Sequence, residues 1–192
     1  YAFALMTIIC GLFIIPAGDP GSYVAGHVVC GLGLITTCVA TAATSSTRFV
    51  LIPRNSEKPD FSPNPAGFSA NQVQVLTGLA VLVSAIAWIW CICLFAVSNS
   101  PKHFVAGSVM LGIACVCTSL IALVASIARQ ARGSYTMAEK GKWTGLVLTM
   151  GSLAFVLGLI LIFTFRGESI NFVGFVLIGL ALICWSISSK VI

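Results

Sequence analysis

Long apolar stretches, separated by short polar segments, make up most of this chain. The pattern predicts six apolar helices, at Tyr1–Ile15, Ser22–Thr47, Gln72–Val97, His103–Ala128, Trp143–Thr164 and Ser169–Ser189. Several of these stretches exceed the roughly 20 apolar residues that a helix needs to cross a hydrocarbon core about 30 Å thick. Because a helix satisfies its own backbone hydrogen bonds, it is the usual spanning structure in lipid. The pattern therefore predicts an all-α, polytopic membrane helical bundle with six transmembrane helices.

The amino-acid composition agrees with this interpretation. Hydrophobic residues make up 58% of the 192 residues and charged residues 8%, and the mean hydropathy is +1.06. A soluble domain needs a charged exterior and cannot hide so large an apolar fraction. The environment expected for this chain is therefore a lipid bilayer.

One apolar stretch recurs along the chain. Ser22–Arg48 matches His103–Arg129 without a gap, and a weaker copy begins at Ile170. The repeat predicts a single transmembrane domain over 1–192, built from three hairpins in one orientation at about 1–48, 72–129 and 143–190. The loops between these hairpins, 49–71 and 130–142, are predicted to lie in the cytoplasm. Since the first helix is shorter than the third helix that it matches, and no starting Met is present, we expect a fragment of a longer protein.

Small residues recur at matching positions of the even-numbered helices. They form two faces of each helix, roughly 140° apart at about 100° per residue. Small side chains let helix backbones approach closely, and helix association in lipid relies on such close packing. The even-numbered helices are therefore predicted to be the inner ones. The predicted packing residues are Gly26, Gly31, Gly33, Gly107, Gly112, Ala114, Gly174, Gly179 and Ala181.

Positive charges lie mainly on one side of the predicted bundle. Of the ten Lys and Arg residues, only Lys102 and Arg166 lie in the turns within the hairpins, and the others lie at the opposite helix ends and in the loops that join the hairpins. The positive-inside rule places the side with more charge in the cytoplasm. We therefore expect a multi-pass membrane protein with both ends of this chain in the cytoplasm. The net charge of +5 is then membrane-surface charge and does not predict a nucleic-acid partner.

The predicted helices carry no central Asp, Glu, Lys or Arg, because all five acidic residues lie in loops. Ion-coupled transporters usually need such a group in the membrane, and no acid–base pair reaches the membrane interior. We therefore expect no enzyme activity, no catalytic residues, no cofactor and no metal site. The eight cysteines, without His or acidic neighbours, are interpreted as packing residues. A passive path lined by hydroxyl groups stays open, with Thr37, Thr41, Ser45, Thr118, Ser119 and Ser126 as candidates.

His27 is the candidate pH sensor. It lies in the second predicted helix, about one turn from the outer end, and Asp19 in the adjacent turn could be its partner. A helix N-terminus and partial burial both disfavour a positive imidazole, so we expect a neutral ring near pH 7 that takes up a proton in acid. The alternative is a polar residue that is hydrogen-bonded near the interface and has no sensing role.

Two segments, YVAGHVVCGLGLITTCVATAATSSTRFVLIPRN and FVAGSVMLGIACVCTSLIALVASIARQAR, carry a family resemblance, which a final LIGLALICWSISSKV extends. With these segments the chain resembles the YhiM-like family of bacterial inner-membrane proteins. The resemblance implies a longer protein with further spans and repeated VAGH motifs, and an association with survival under acid stress. Val24–His27 matches the motif fully, whereas Val105–Ser108 departs from it at the histidine.

Two functions remain open from the sequence. The first is a passive pathway for a small solute or an ion in acid stress and pH homeostasis, gated by outside pH through His27. The second is a structural or accessory subunit that packs in a homo-oligomer or against other membrane subunits. A pathway needs a continuous polar line through the bundle, whereas a structural subunit would be closed inside.

Overall fold

The computed structural model describes residues 1–17, 20–49, 70–97, 100–131, 136–165 and 171–191 of the chain. These residues form α1 (Ala2–Ile14), a short 3₁₀ turn (Ile15–Ala17), α2 (Pro20–Phe49), α3 (Ala70–Ala96), α4 (Pro101–Ala131), α5 (Met137–Thr164) and α6 (Asn171–Val191). The five helices from α2 to α6 are long and apolar enough to cross a membrane, and α1 is a shorter apolar helix. The predicted all-α helical bundle is confirmed, with five candidate spans among the described residues.

Most helix ends differ from the prediction by one to three residues, and the start of α5 differs by six. α2 begins at Pro20 and not at Ser22, because the fixed φ of proline suits the first turn of a helix, where its missing N–H would be unpaired. The predicted loop 130–142 is wrong over most of its length, since α4 continues to Ala131 and α5 already begins at Met137. Of the predicted loop 49–71, residues 50–69 lie outside the described residues, and both flanks are helical.

A side-chain N-cap explains the early start of α5. The side chain of Thr136, the N-cap residue, accepts a hydrogen bond from the backbone N–H of Glu139 at 3.3 Å. The Glu139 carboxylate in turn pairs with the guanidinium of Arg129 near the end of α4. Thr and Glu three residues apart are a typical helix start, so the polar segment before Trp143 is helix and not loop.

Helices that follow each other in the sequence pack as pairs, and the even-numbered helices form a row. α1 packs on α2, α3 on α4 and α5 on α6, while α2 contacts α4 and α4 contacts α6. α4 lies at the centre and also contacts α3 and α5, so its residues 105–110 and 112–117 are all buried. The prediction of inner even-numbered helices describes α4 best, because α6 keeps several large exposed side chains. A structural repeat of the three hairpins stays a prediction.

Candidate functional site

A cluster of aromatic and basic side chains joins α2, α3 and α4. It consists of Tyr23 and His27 on α2, Trp90 on α3, and Lys102 and His103 on α4, and we refer to it as the histidine cluster. It lies at the end of the bundle where α3 is followed by α4, which we refer to as the hairpin end. Residues from three helices thus meet around one pair of histidines.

His27 is held tightly within this cluster. Only 3% of its surface is exposed, and its Nδ1 lies 2.7 Å from the backbone carbonyl oxygen of Tyr23. Because a carbonyl can only accept, Nδ1–H donates this hydrogen bond, which leaves Nε2 as the atom that can take up a proton. The imidazole lies 4.5 Å from the ring of Tyr23 and 5.6 Å, edge-on, from the ring of Trp90, measured between centroids.

His103 approaches the same tyrosine from the first turn of α4. Its ring centroid lies 5.3 Å from that of Tyr23 in an edge-on arrangement, and its Nδ1 lies 2.7 Å from the hydroxyl oxygen of Ser100. The ammonium of Lys102 lies 5.3 Å from the centroid of the Tyr23 ring, within the range of a cation–π interaction. Tyr23 is therefore surrounded by a lysine ammonium group and two imidazole rings.

Asp19, the predicted partner of His27, lies outside the described residues. Among the described residues, the rings of Tyr23 and Trp90 lie next to His27, and the ring of His103 lies next to Tyr23. A signal for His103 was available in the sequence. The chain has two histidines, each near the start of an even-numbered helix, and antiparallel hairpins bring those starts to the same end of a bundle.

The candidate polar residues form separate groups. Thr118 on α4 accepts a hydrogen bond from Trp88 Nε1 at 3.0 Å and lies 3.1 Å from the hydroxyl of Ser84, so α3 and α4 share a small polar cluster. At another place the hydroxyl of Thr41 lies 3.2 Å from that of Tyr1, which ties α1 to α2. Both contacts join neighbouring helices and explain why these hydroxyl groups are tolerated in lipid.

The remaining candidate hydroxyls bond to their own helices. Ser119 donates to the carbonyl of Cys115 at 2.9 Å, Ser126 to that of Leu123 at 2.8 Å, and Thr37 to that of Gly33 at 2.9 Å. The side chain of Ser45 lies outside the described residues. Such bonds satisfy a hydroxyl without a partner helix.

Three of the predicted packing glycines on α2 meet neighbouring helices closely. A methyl group on Gly26 or Gly33 would lie within 3 Å of atoms of α1, including backbone carbonyl oxygens. A methyl group on Gly31 would instead overlap the side chain of Ile113 on α4. α2 therefore uses one small face against α1 and another against α4.

The predicted small residues of α4 and α6 also face neighbouring helices, with one exception. Gly107 lies against Phe95 on α3, Gly112 against Leu177 and Leu180 on α6, and Gly174 against α5. Ala114 and Ala181 are fully buried. Gly179 differs from the prediction, because it is exposed and a methyl group there would meet no atom within 4 Å.

A family model described as "Protein of unknown function (DUF2776)" matches residues 1–192 of the chain. The chain belongs to the DUF2776 family. The DUF2776 chain is also 36% identical, over 195 residues, to "Inner membrane protein YhiM" of Escherichia coli (strain K12). The match covers all of this chain and 55% of the length of that relative. The resemblance to the YhiM-like family is thereby confirmed.

Together with the five apolar helices of spanning length, this relative identifies the DUF2776 chain as a multi-pass protein of the inner membrane. No solved structure matches the chain.

Proposed function

We propose that this protein responds to external acid and that the histidine cluster is its sensor. The observation that carries the proposal is the arrangement of His27, His103 and Lys102 around the ring of Tyr23. Lys102 is a cation at neutral pH, and imidazole groups gain protons between about pH 5 and 8. Acid therefore adds positive charge to a small volume that already holds one cation. The acid-stress association implied by the YhiM-like resemblance agrees with this role.

The position of the cluster favours sensing from outside the cell. Arg129, Lys140 and Lys142 lie at the bundle end opposite the hairpin end. By the positive-inside rule that opposite end faces the cytoplasm. The histidine cluster then faces the outer side of the inner membrane, where pH falls first when the medium is acidified.

Repulsion within the protonated cluster is large enough to change packing. Both imidazoles lie within 5.3 Å of the Tyr23 ring, so their centroids are separated by at most about 10 Å. Two unit charges at about 10 Å repel by about 1.7 kcal/mol at an effective dielectric constant of about 20. Protonation of both histidines therefore weakens the contact between α2 and α4 at the hairpin end.

The packed interior favours a structural role, in which the bundle is one unit of a larger membrane assembly. On α4, the buried hydroxyl of Ser108 and the half-buried hydroxyl of Thr118 are ten residues apart, or about 15 Å at 1.5 Å per residue. Apolar and thiol side chains such as Met110 and Cys115, both fully buried, fill that interval. A polar line along α4 is therefore interrupted, which supports a closed unit whose acid response is a change in helix packing.

A passive pathway for a small solute or an ion is the second candidate. The polar cluster of Ser84, Trp88 and Thr118 between α3 and α4 favours it, because hydroxyl groups within a membrane can line a route for water or a small polar solute. Such a route would have to pass between α3 and α4.

The sensor is tested by the fluorescence of Trp90, whose ring lies next to His27, since a protonated imidazole in contact quenches an indole. The full-length protein is reconstituted into liposomes. The fluorescence of Trp90 is obtained by subtracting the emission of the Trp90→Phe variant from that of the unchanged protein. We expect the fluorescence of Trp90 to fall on acidification and to be independent of pH in His27→Gln. An unchanged Trp90 signal between pH 7 and pH 5, a span within the range over which imidazole groups gain protons, would contradict the proposal.

The mode of action is tested in the same liposomes. They are loaded with a pH-sensitive dye, and the outside pH is stepped down. The structural role predicts no flux above that of empty liposomes for folded protein. Flux that Thr118→Val abolishes would instead support the pathway and reject the closed unit.

A further inference from the structure

A cavity of about 310 Å³ lies between the end of α4 and the start of α5. Arg129 lines it from α4, and the residues that line it from α5 are Glu139, Lys142, Trp143 and Leu146. Its volume is at the lower end of the range of small-molecule sites, about 300–1,000 Å³. The cavity lies at the bundle end opposite the hairpin end, so it is separate from the histidine cluster.

Two cations and one carboxylate meet in this cavity. The guanidinium of Arg129 pairs with Oε1 of Glu139, while Lys142 makes no ion pair with the residues that the structure describes. The other carboxylate oxygen, Glu139 Oε2, is buried and has no hydrogen-bond partner within the described part of the chain. Buried polar atoms normally have a partner. The cavity therefore suits a ligand that brings an anion for the cations and a hydrogen-bond donor for Glu139.

The wall of the cavity changes from charged to apolar along α5. Leu146 follows Lys142 by four residues, which places it about 6 Å deeper in the bundle at about 1.5 Å per residue. Trp143 lies between them in the sequence, and tryptophan is enriched where the headgroups of a bilayer meet the hydrocarbon. A ligand in this cavity meets charges at one end and an apolar wall at the other, which matches the two parts of a phospholipid.

We propose that this cavity binds a phospholipid whose headgroup joins a phosphate to a hydrogen-bond donor, as ethanolamine and glycerol headgroups do. The phosphate lies between Arg129 and Lys142, and the donor of the headgroup bonds to Glu139 Oε2. An acyl chain follows Leu146 towards the hydrocarbon. Because a guanidinium has five N–H donors in a planar fork, Arg129 can hold the Glu139 carboxylate and a phosphate at the same time.

The position of the cavity in the membrane agrees with a lipid ligand. The positive-inside rule places this end of the bundle in the cytoplasm, so the phospholipid comes from the cytoplasmic leaflet. Basic pockets between transmembrane helices on that side are typical binding sites for phospholipid headgroups. A contact that only joins α4 to α5 would account for the pair of Arg129 and Glu139, but not for Lys142 in the same cavity or for the unpartnered Glu139 Oε2.

Native mass spectrometry of the full-length protein, released from detergent micelles, tests the proposal. Phosphatidylethanolamine, phosphatidylglycerol and phosphatidylcholine with identical acyl chains are titrated, and the apparent dissociation constant of the first bound lipid is measured. Phosphatidylcholine has the net charge of phosphatidylethanolamine, but its headgroup carries no hydrogen-bond donor. We expect at least one of the two donor-bearing lipids to bind more tightly than phosphatidylcholine, and the tighter of the two identifies the donor. Equal or tighter binding of phosphatidylcholine would overturn the proposal.

Two lysine variants test the position of the phosphate. Lys142→Gln is expected to raise the dissociation constant of the preferred lipid about tenfold, as the loss of one charge-assisted hydrogen bond implies. Lys140 lies two residues earlier on α5 and does not line the cavity, so Lys140→Gln removes the same charge from the protein and should leave binding unchanged. Equal effects of the two substitutions would assign the binding to general surface charge and overturn the proposal.

A soluble phosphate ester is the other source of the same chemistry. Glycerophosphoethanolamine and glycerophosphoglycerol, which carry these headgroups without acyl chains, are therefore added as competitors of the bound lipid. Because Leu146 gives the cavity an apolar wall, we expect these esters to displace the lipid only in large molar excess. Displacement by an ester at the concentration of the lipid itself would overturn the assignment of a lipid and indicate a soluble ligand.

Discussion

Gly158→Ala is expected to destabilise the α5–α6 contact through backbone crowding. A methyl group on Gly158 would lie 2.8 Å from the carbonyl oxygen of Gly174, and one on Gly174 would lie 2.6 Å from the carbonyl oxygen of Gly158. Backbone oxygens cannot rotate away as a flexible side chain can. The two helices must therefore separate locally, and neighbouring side chains lose contacts when they do.

The magnitude follows from two opposing terms. Overpacking typically costs about 1–3 kcal/mol, while replacement of Gly by Ala within a helix contributes up to about 1 kcal/mol in favour of the folded state. We therefore expect Gly158→Ala to lower the free energy of unfolding by up to about 2 kcal/mol. Gly145 in the same helix meets no atom within 4 Å, so Gly145→Ala should be neutral or stabilising by up to about 1 kcal/mol.

The buried thiols of the chain provide the assay. Cys184 on α6 is fully buried and free, so its reaction with a thiol-specific dye reports the separation of α6 from its neighbours. The dye reaction is followed in detergent micelles as the fraction of a denaturing detergent is raised, for both variants and the unchanged protein. Gly158→Ala should react at a lower fraction than Gly145→Ala. Coincident transitions for the two variants would refute the close α5–α6 contact.

Three further outcomes follow from other contacts. Thr118→Val leaves the indole N–H of Trp88 without this acceptor and should cost about 1–3 kcal/mol of unfolding free energy, whereas an unchanged denaturation curve would show that the N–H is satisfied elsewhere. Thr136→Ala removes the side chain that accepts the hydrogen bond from the backbone N–H of Glu139 and should lower the free energy of unfolding by about 1 kcal/mol. We expect faster amide hydrogen exchange in the first turn of α5 only, and unchanged exchange there would count against the cap. Because acid adds like charges around Tyr23, the thermal midpoint should fall between pH 7 and pH 5, a span within the usual imidazole range. In His27→Gln it should fall less, and an equal fall in both proteins would assign the effect to other groups.

The sequence alone determined the class of this protein. Long apolar stretches without central charges can only be stable as helices in lipid, so the six helices and the membrane location follow from local pattern and composition. The VAGH segments also carried enough information to indicate the family. The glycines of α2 could be expected to pack because small residues are the means by which helices associate in lipid.

Local pattern was weaker at the ends of the helices. The segment 130–142 is polar and was expected to be a loop, yet the Thr136 cap and the pairing of Glu139 with Arg129 make much of it helix. Polarity is a property of single residues, whereas a helix start depends on which side chains reach which backbone groups. The sequence does contain the TxxE spacing, at Thr136 and Glu139.

Only the tertiary structure decided which residues meet across helices. Asp19, the expected partner of His27, lies outside the described residues. The described contacts bring His27 to Tyr23 on its own helix and to Trp90 on α3, because the rotation of α2 about its axis is set by packing against its neighbours. The same reason explains Gly179, which the repeat makes equivalent to Gly31 and Gly112. Identical positions in a repeat have identical local preferences, but a face is filled only when another helix occupies the next place in the row.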